Sequence, residues 1–145
     1  MKIKIAWIGK TKQPEIEGLS QEYLKRLGHY AEVEGVAVKD EPSMLKLCTR
    51  EARPKHSLLL LDSAGKQLSS EEFARWLDNF QQRSSPLLIA IGPADGFSVE
   101  ARKAASLVLS LGKMTLAHEL ARVVLLEQLY RAFTILKGHP YHLGH

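Results

Sequence analysis

The chain has 145 residues, 45% hydrophobic and 25% charged, a balance that fits one globular domain spanning 1–145 and excludes a disordered or collagen-like chain. No apolar run approaches the roughly 20 residues of a membrane span, and MKIKIAWIGK interleaves lysines where a signal peptide needs unbroken apolar residues, so a cytoplasmic location without membrane association is expected. The net charge of +4 is scattered and permits a polyanionic partner without requiring one, while the lone Cys48 excludes an intramolecular disulfide and reads as a buried, inert thiol.

In chain order, Lys2 to Ile8 alternates as a strand and stops at Gly9. Ile16, Leu19, Tyr23, Leu24 and Leu27 recur at helical spacing before Gly28, and the β-branched run Val33 to Val38 predicts a second strand that Pro42 turns away. Met44 to Arg53 reads as a weaker helix. The run SLLLLD after His56 predicts a strand covered on both faces, and SAGKQ a polar turn after it. Ser69 with Glu72 matches a capping box, and Phe73, Trp76, Leu77 and Phe80 give the apolar stripe of the helix it opens. LLIAI is another buried strand; Ser98 caps a short helix reaching Ala105; LVLSL is the last strand; and 118–136 is a long helix. Strands and helices thus alternate, and the fold class expected is a three-layer α/β domain with a mainly parallel sheet.

The last helix is apolar almost all round, which requires burial on more than one side; the reading is an isologous homodimer through 118–136, the alternative a helix buried within one subunit. Two loops leave strand ends where ligands of open α/β sheets bind. The first, Ile91 to Ser98, lacks the pattern of a phosphate loop, and Pro93 removes a backbone donor; it is either a tight turn or a site where Gly92 and Gly96 permit close approach of a flat ligand. In the second, Leu111-Gly112-Lys113-Met114-Thr115-Leu116, the backbone can meet an adenine edge while Leu111, Met114 and Leu116 pack on the ring, or those three are ordinary core. His118 and Arg122 lie one helical turn apart, a potential base beside a fixed charge. Glu127 and Arg131 read as an exposed ion pair, His29 and His56 as surface or turn residues, and the tail from Gly138 as solvated; its HxxH spacing is a weak zinc signal, and no metal is expected.

The ordered set of Leu59 to Asp62, IGPADG at 91–96, SLGKMTLAHELAR at 110–122, EQLYRA at 127–132 and HPYH at 139–142 resembles the RlmH family. These are the pseudouridine N3-methyltransferases of large-subunit ribosomal RNA, within the SPOUT class. The resemblance covers nearly the whole chain. It implies a C-terminal trefoil knot, a homodimer, S-adenosylmethionine (AdoMet) as cofactor, and 23S ribosomal RNA within the large subunit or assembled ribosome as partner. By the same resemblance Leu61, Gly92 and Leu111, Gly112, Lys113, Met114, Thr115 and Leu116 would hold AdoMet. His118, Arg122, Tyr141 and His142 would face the RNA, His142 as first candidate for the base and Arg122 as charge stabiliser. Pro93 and Ala94 stand where the family loop reads close to IGGPEG, and Leu143-Gly144-His145 where a basic residue commonly follows the YH pair. The alternative reading is a ribosome-associated protein that keeps the knotted fold and has lost methyl transfer.

Overall fold

A computed structural model describes residues 1–93 and 95–142; Ala94 and Leu143-Gly144-His145 lie outside the described residues. Five strands, β1 (Lys2–Ile8), β2 (Glu32–Val38), β3 (Ser57–Gln67), β4 (Leu87–Ile91) and β5 (Leu107–Ser110), form one sheet in the order β2-β1-β4-β3-β5. Every neighbouring pair is parallel, as the alternation of strands and helices predicts. The helices are α1 (Pro14–Leu27), α2 (Glu41–Leu45), α3 (Ser70–Gln81), α4 (Val99–Ala104) and α5 (His118–Leu136).

Side-chain alternation along the central strands sorts the core into two layers. Leu59, Leu87, Ile89 and Ile91 face one side with Ile3, Ile5 and Trp7, and α1, α3 and α5 cover them through Leu27, Leu77, Phe80, Leu125, Leu129 and Phe133. Leu58, Leu60, Leu88 and Ala90 face the other side, against Met44 of α2 and Phe97 and Ala101 around α4. All five residues of β4 are buried, which is why LLIAI carries no polar residue. The capping box at Ser69 is present in full: the Ser69 hydroxyl accepts from the Glu72 amide at 3.1 Å and the Glu72 carboxylate accepts from the Ser69 amide at 2.7 Å. Among the described residues no helix is long and apolar enough to cross a membrane.

Four expectations change. SAGKQ is not a turn: β3 runs through it to Gln67, with a register irregularity between Leu61 and Lys66 that lets the strand pair twice with β5. Gly65 permits this, since a Cβ there would lie 2.5 Å from the Val108 carbonyl oxygen. The weak helix begins earlier and is shorter, with Asp40 accepting from the Ser43 amide at 2.9 Å to cap α2, Pro42 in its first turn, and a single 3-10 turn, Lys46–Cys48, ending it. Pro42 therefore starts a helix rather than only ending a strand. His56 is buried rather than a surface residue, and burial lowers its pKa first, with the Lys4 charge adding to it.

The helix α5 packs against both α1 and α3, so much of its apolar circumference is covered within one chain. What stays open is a strip of Leu120, 45% exposed, with half-buried Val123 and Val124.

Candidate functional site

The carboxyl ends of β3, β4 and β5 open into a cleft of about 330 Å³. Leu61 ends one wall; Ile91, Gly92 and Pro93 form the second; Ser110, Leu111, Gly112, Met114, Thr115 and Leu116 form the third; and His118 and Ala121 close it from the first turns of α5. The two loops singled out in the sequence therefore meet in one space.

Asp62 ties the walls together. One carboxylate oxygen accepts from the Ala64 amide at 2.9 Å and the other from the Phe97 amide at 3.3 Å, fixing the exit of β3 to the loop after β4. That loop tightens through the Gly96 amide on the Pro93 carbonyl at 3.0 Å, with Gly96 at φ +84°, a conformation glycine adopts without strain. Gly92 has a different reason to be glycine: a Cβ there would lie 2.6 Å from the Phe97 ring. The flat group that approaches its backbone is the chain's own Phe97. At the third wall the Ser110 hydroxyl accepts from the Gly112 amide at 3.2 Å and donates to the Gly112 carbonyl at 2.9 Å, turning the chain out of β5.

The loop that follows is not core. Met114 is 87% exposed and Leu116 41%, apolar side chains left at the cleft's mouth. An apolar rim over exposed main-chain groups suits a ligand with a flat heterocycle. The residues present therefore fit AdoMet: Leu61, Leu111, Met114 and Leu116 offer apolar contact, and the cleft also presents polar groups from the main chain of its loops and from Thr115 and His118. Lys113 is exposed and does not line the cleft.

The four residues assigned to the RNA side do not come together within one chain. His118 lines the cleft, half-buried. Arg122, one turn on, turns away from it and is 1% exposed. Its guanidinium lies over the Trp7 ring at 3.9 Å and donates to the Thr11 hydroxyl at 2.7 Å. Burial pulls its pKa below the usual guanidinium range, while the Glu119 and Glu17 charges act in the opposite sense. Beside it Glu119, 6% exposed, accepts from the amides of Lys12 and Gln13, each at 3.2 Å. Burial works against the Glu119 charge, but those amides, with Arg122 and His118, outweigh it and hold the carboxyl below its usual range.

Tyr141 and His142 lie beyond the end of α5, in the turn that follows it. The described part of the tail, exposed at Gly138, His139 and Pro140, is nevertheless anchored: Tyr30 bonds to His139 at 2.6 Å, the Tyr141 hydroxyl donates to Glu127 at 2.6 Å, and its ring meets Tyr130 edge-on at 4.9 Å. Burial first, and Glu127 second, raise the Tyr141 pKa well above that of a free phenol. His142 lies between Arg131 at 3.1 Å and Glu71 at 2.7 Å, a pairing that suits a neutral ring accepting at Nδ1 and donating at Nε2. The Glu127–Arg131 pair, 3.1 Å apart with side chains 21% and 14% exposed, is thus the tail's anchor rather than an exposed ion pair. Arg131 lies nine residues beyond Arg122, about 14 Å at 1.5 Å of rise per residue. Sequence reasoning missed Arg102, Phe97 and the Thr11–Arg122–Trp7 stack; Arg102 lines the cleft from α4. Only Asp62, a carboxylate closing the apolar run of β3, carried a signal.

A family model described as "Predicted SPOUT methyltransferase" matches residues 1–142. Proteins named ribosomal RNA large subunit methyltransferase H are similar over their whole length: that of Koribacter versatilis is 53% identical, with 100% of both chains covered, and that of Gloeobacter violaceus 42%, covering 99% of this chain and 100% of the other. Among solved structures, a probable methylase family protein from Haemophilus influenzae superposes with a TM-score of 0.60 at 12% identity, over 96% of this chain and 69% of the other. The SpoU methyltransferase AviRb from Streptomyces viridochromogenes, in complex with AdoMet, does so with a TM-score of 0.56 at 16% identity, over 95% and 59%. These likenesses show the fold, and the trefoil knot is implied by that class rather than read from strand order. The chain belongs to the SPOUT methyltransferase family.

Proposed function

We propose that this protein transfers a methyl group from AdoMet to N3 of a pseudouridine in 23S ribosomal RNA of the large subunit, acting as a homodimer through α5. The observation that carries the reading is the cleft where β3, β4 and β5 end, with its apolar rim of Met114 and Leu116 left uncovered. The full-length relatives named as large-subunit ribosomal RNA methyltransferases supply the substrate class.

AdoMet supplies a methyl group on a sulfonium, already activated toward a nucleophile. The chain's part is to hold the target base in line and to handle one proton, since N3 must lose its hydrogen. Leu61, Gly92 and the stretch 111–116 hold the cofactor, with Lys113 at the rim. His118 faces the reacting space from its own chain. Tyr141 and His142, which do not line the cleft of their own chain, act on that of the partner subunit. The open strip Leu120, Val123 and Val124, on the same helix, is the surface on which the second copy seats. Arg122, spent on Trp7 and Thr11, shapes the site rather than touching the base. The rival without methyl transfer has no observation in its favour: Pro93 forms part of a wall and leaves the cleft open.

Mass spectrometry of ribosomal RNA from cells with and without the gene tests the reading, the expected result being loss of one methyl from a pseudouridine. An unchanged methylation pattern overturns it. Mixing inactive His142→Ala with inactive Leu116→Arg should restore transfer, because each hybrid dimer keeps one intact shared site; no recovery from a demonstrated hybrid rejects the shared site.

A further inference from the structure

The loop from Gly9 to Gln13 is held more firmly than an ordinary βα connection. Glu119 spends its carboxylate on the amides of Lys12 and Gln13, and Arg122 reaches Thr11 while lying on Trp7. Both charged side chains are buried, a costly arrangement unless the loop's position matters. They come from the first turns of α5, where His118, one residue before Glu119, lines the cleft. From the sheet side, Trp7 pairs in register with Ile91, the residue before Gly92. The loop does not line the cleft but is fixed beside it by α5, whose first turns do, and by β1, which pairs with β4.

What the loop presents is positive charge. Lys10 and Lys12 are exposed, and among the described residues neither has an ion-pair partner, nor has Lys113 across the rim. Of the carboxylates on this edge, Asp62 is occupied by the amides of Ala64 and Phe97 and Glu119 by those of Lys12 and Gln13, while the exposed Asp95 lines the cleft from the loop after β4. Glu15 and Glu17 lie in the first turn of α1, where the helix dipole favours them. The other end of β1 shows the contrast: there Lys2 meets Glu32 at 3.9 Å and Lys4 meets Glu34 at 3.2 Å. Among the described residues the two lysines of this loop have no carboxylate partner, whereas the two on β1 have one each.

We infer that Lys10 and Lys12, on the loop that Glu119 and Arg122 hold against the cleft, grip phosphates of the RNA strand flanking the target nucleotide. The inference rests on the RNA-methylating reading above and adds to it the surface that positions the strand. Phosphate contacts orient a nucleic acid without reading its bases and make binding steeply salt-dependent.

The test uses ribosomes from cells lacking the gene, with binding read by co-sedimentation and transfer by labelled AdoMet across a sodium chloride series. Lys10→Ala/Lys12→Ala should flatten the slope of log affinity against log salt by about 1 per lysine, raise KM for ribosomes, and leave kcat and AdoMet affinity near those of the parent. Lys2→Ala/Lys55→Ala, which removes as much charge at the amino ends of β1 and β3, should leave the slope unchanged. An unaltered slope in the Lys10/Lys12 variant, an equal change in the control pair, or a loss confined to AdoMet affinity overturns the inference. A parent that binds ribosomes with this lysine-dependent slope yet transfers no methyl overturns the enzyme reading and not this one.

Discussion

Gly92→Ala is the sharpest probe of the cleft, because one added carbon has a single target. The new Cβ would stand 2.6 Å from Cε2 and 2.7 Å from Cζ of Phe97, whereas ordinary contact begins at 3.4 Å, so the ring must retreat by about 0.8 Å (3.4 − 2.6). Phe97 is 5% exposed and packed among Leu60, Leu88, Ala90 and Ala101, and its own amide is tied to Asp62, so its one open direction is into the cleft. Overpacking of this kind costs about 1–3 kcal/mol. Because Phe97 and Gly92 both line the cleft, AdoMet affinity should fall with stability. The assay is a double-mutant cycle by urea unfolding with AdoMet calorimetry on each variant. Phe97→Leu removes the ring atoms in question, so Gly92→Ala should cost less in that background, with a coupling energy of about 0.5–3 kcal/mol. Additive effects, or a Gly92→Ala single variant with parental stability and AdoMet affinity, would refute the ring contact as the reason for glycine.

Three further expectations follow from the same contacts. Burial first, against a small opposing effect of Lys55, pushes the Cys48 thiol up to about 11 from 9.0, so the folded state favours the protonated form. Stability should be unaffected by this thiol below pH 9 and decline as pH rises from 9 toward 11, and Cys48→Ser should remove that decline; the half-buried native Cys48 should react with a thiol reagent at pH 8 more slowly than the unfolded chain. Glu127→Gln should lower the Tyr141 pKa part of the way toward 10.0, read by ultraviolet titration of the phenolate, because it removes the second cause of the shift and leaves burial in place. An unmoved titration would mean that the tail is not anchored on Glu127. Glu119→Ala should speed hydrogen exchange of the Lys12 and Gln13 amides while leaving that of β4 unchanged; equal acceleration in β4 would point to global destabilisation instead.

Local periodicity carried the fold because the central strands and the long helices obey simple burial rules. LLIAI is apolar throughout because both faces are covered, and the Ser69–Glu72 box works within four residues. Where the reading failed, the cause lay in contacts distant in sequence. SAGKQ looks like a turn by composition, yet pairing with β5 across Gly65 keeps it extended. The tail looks solvated because its anchors, Glu71, Tyr30, Glu127 and Arg131, belong to two different helices and a connecting loop. The two cleft loops were legible as strand-end loops, but whether Met114 and Leu116 were core or rim depended on their exposure, which spacing does not encode. Arg122 makes the point most sharply. A guanidinium one turn from a histidine reads as a pair aimed at one substrate, since a helix places such residues on one face. Here the side chain swings instead onto Trp7 of β1, and its charge fixes the loop carrying Lys10 and Lys12. The guanidinium therefore packs on Trp7 and Thr11 within its own chain instead of lining the cleft beside His118.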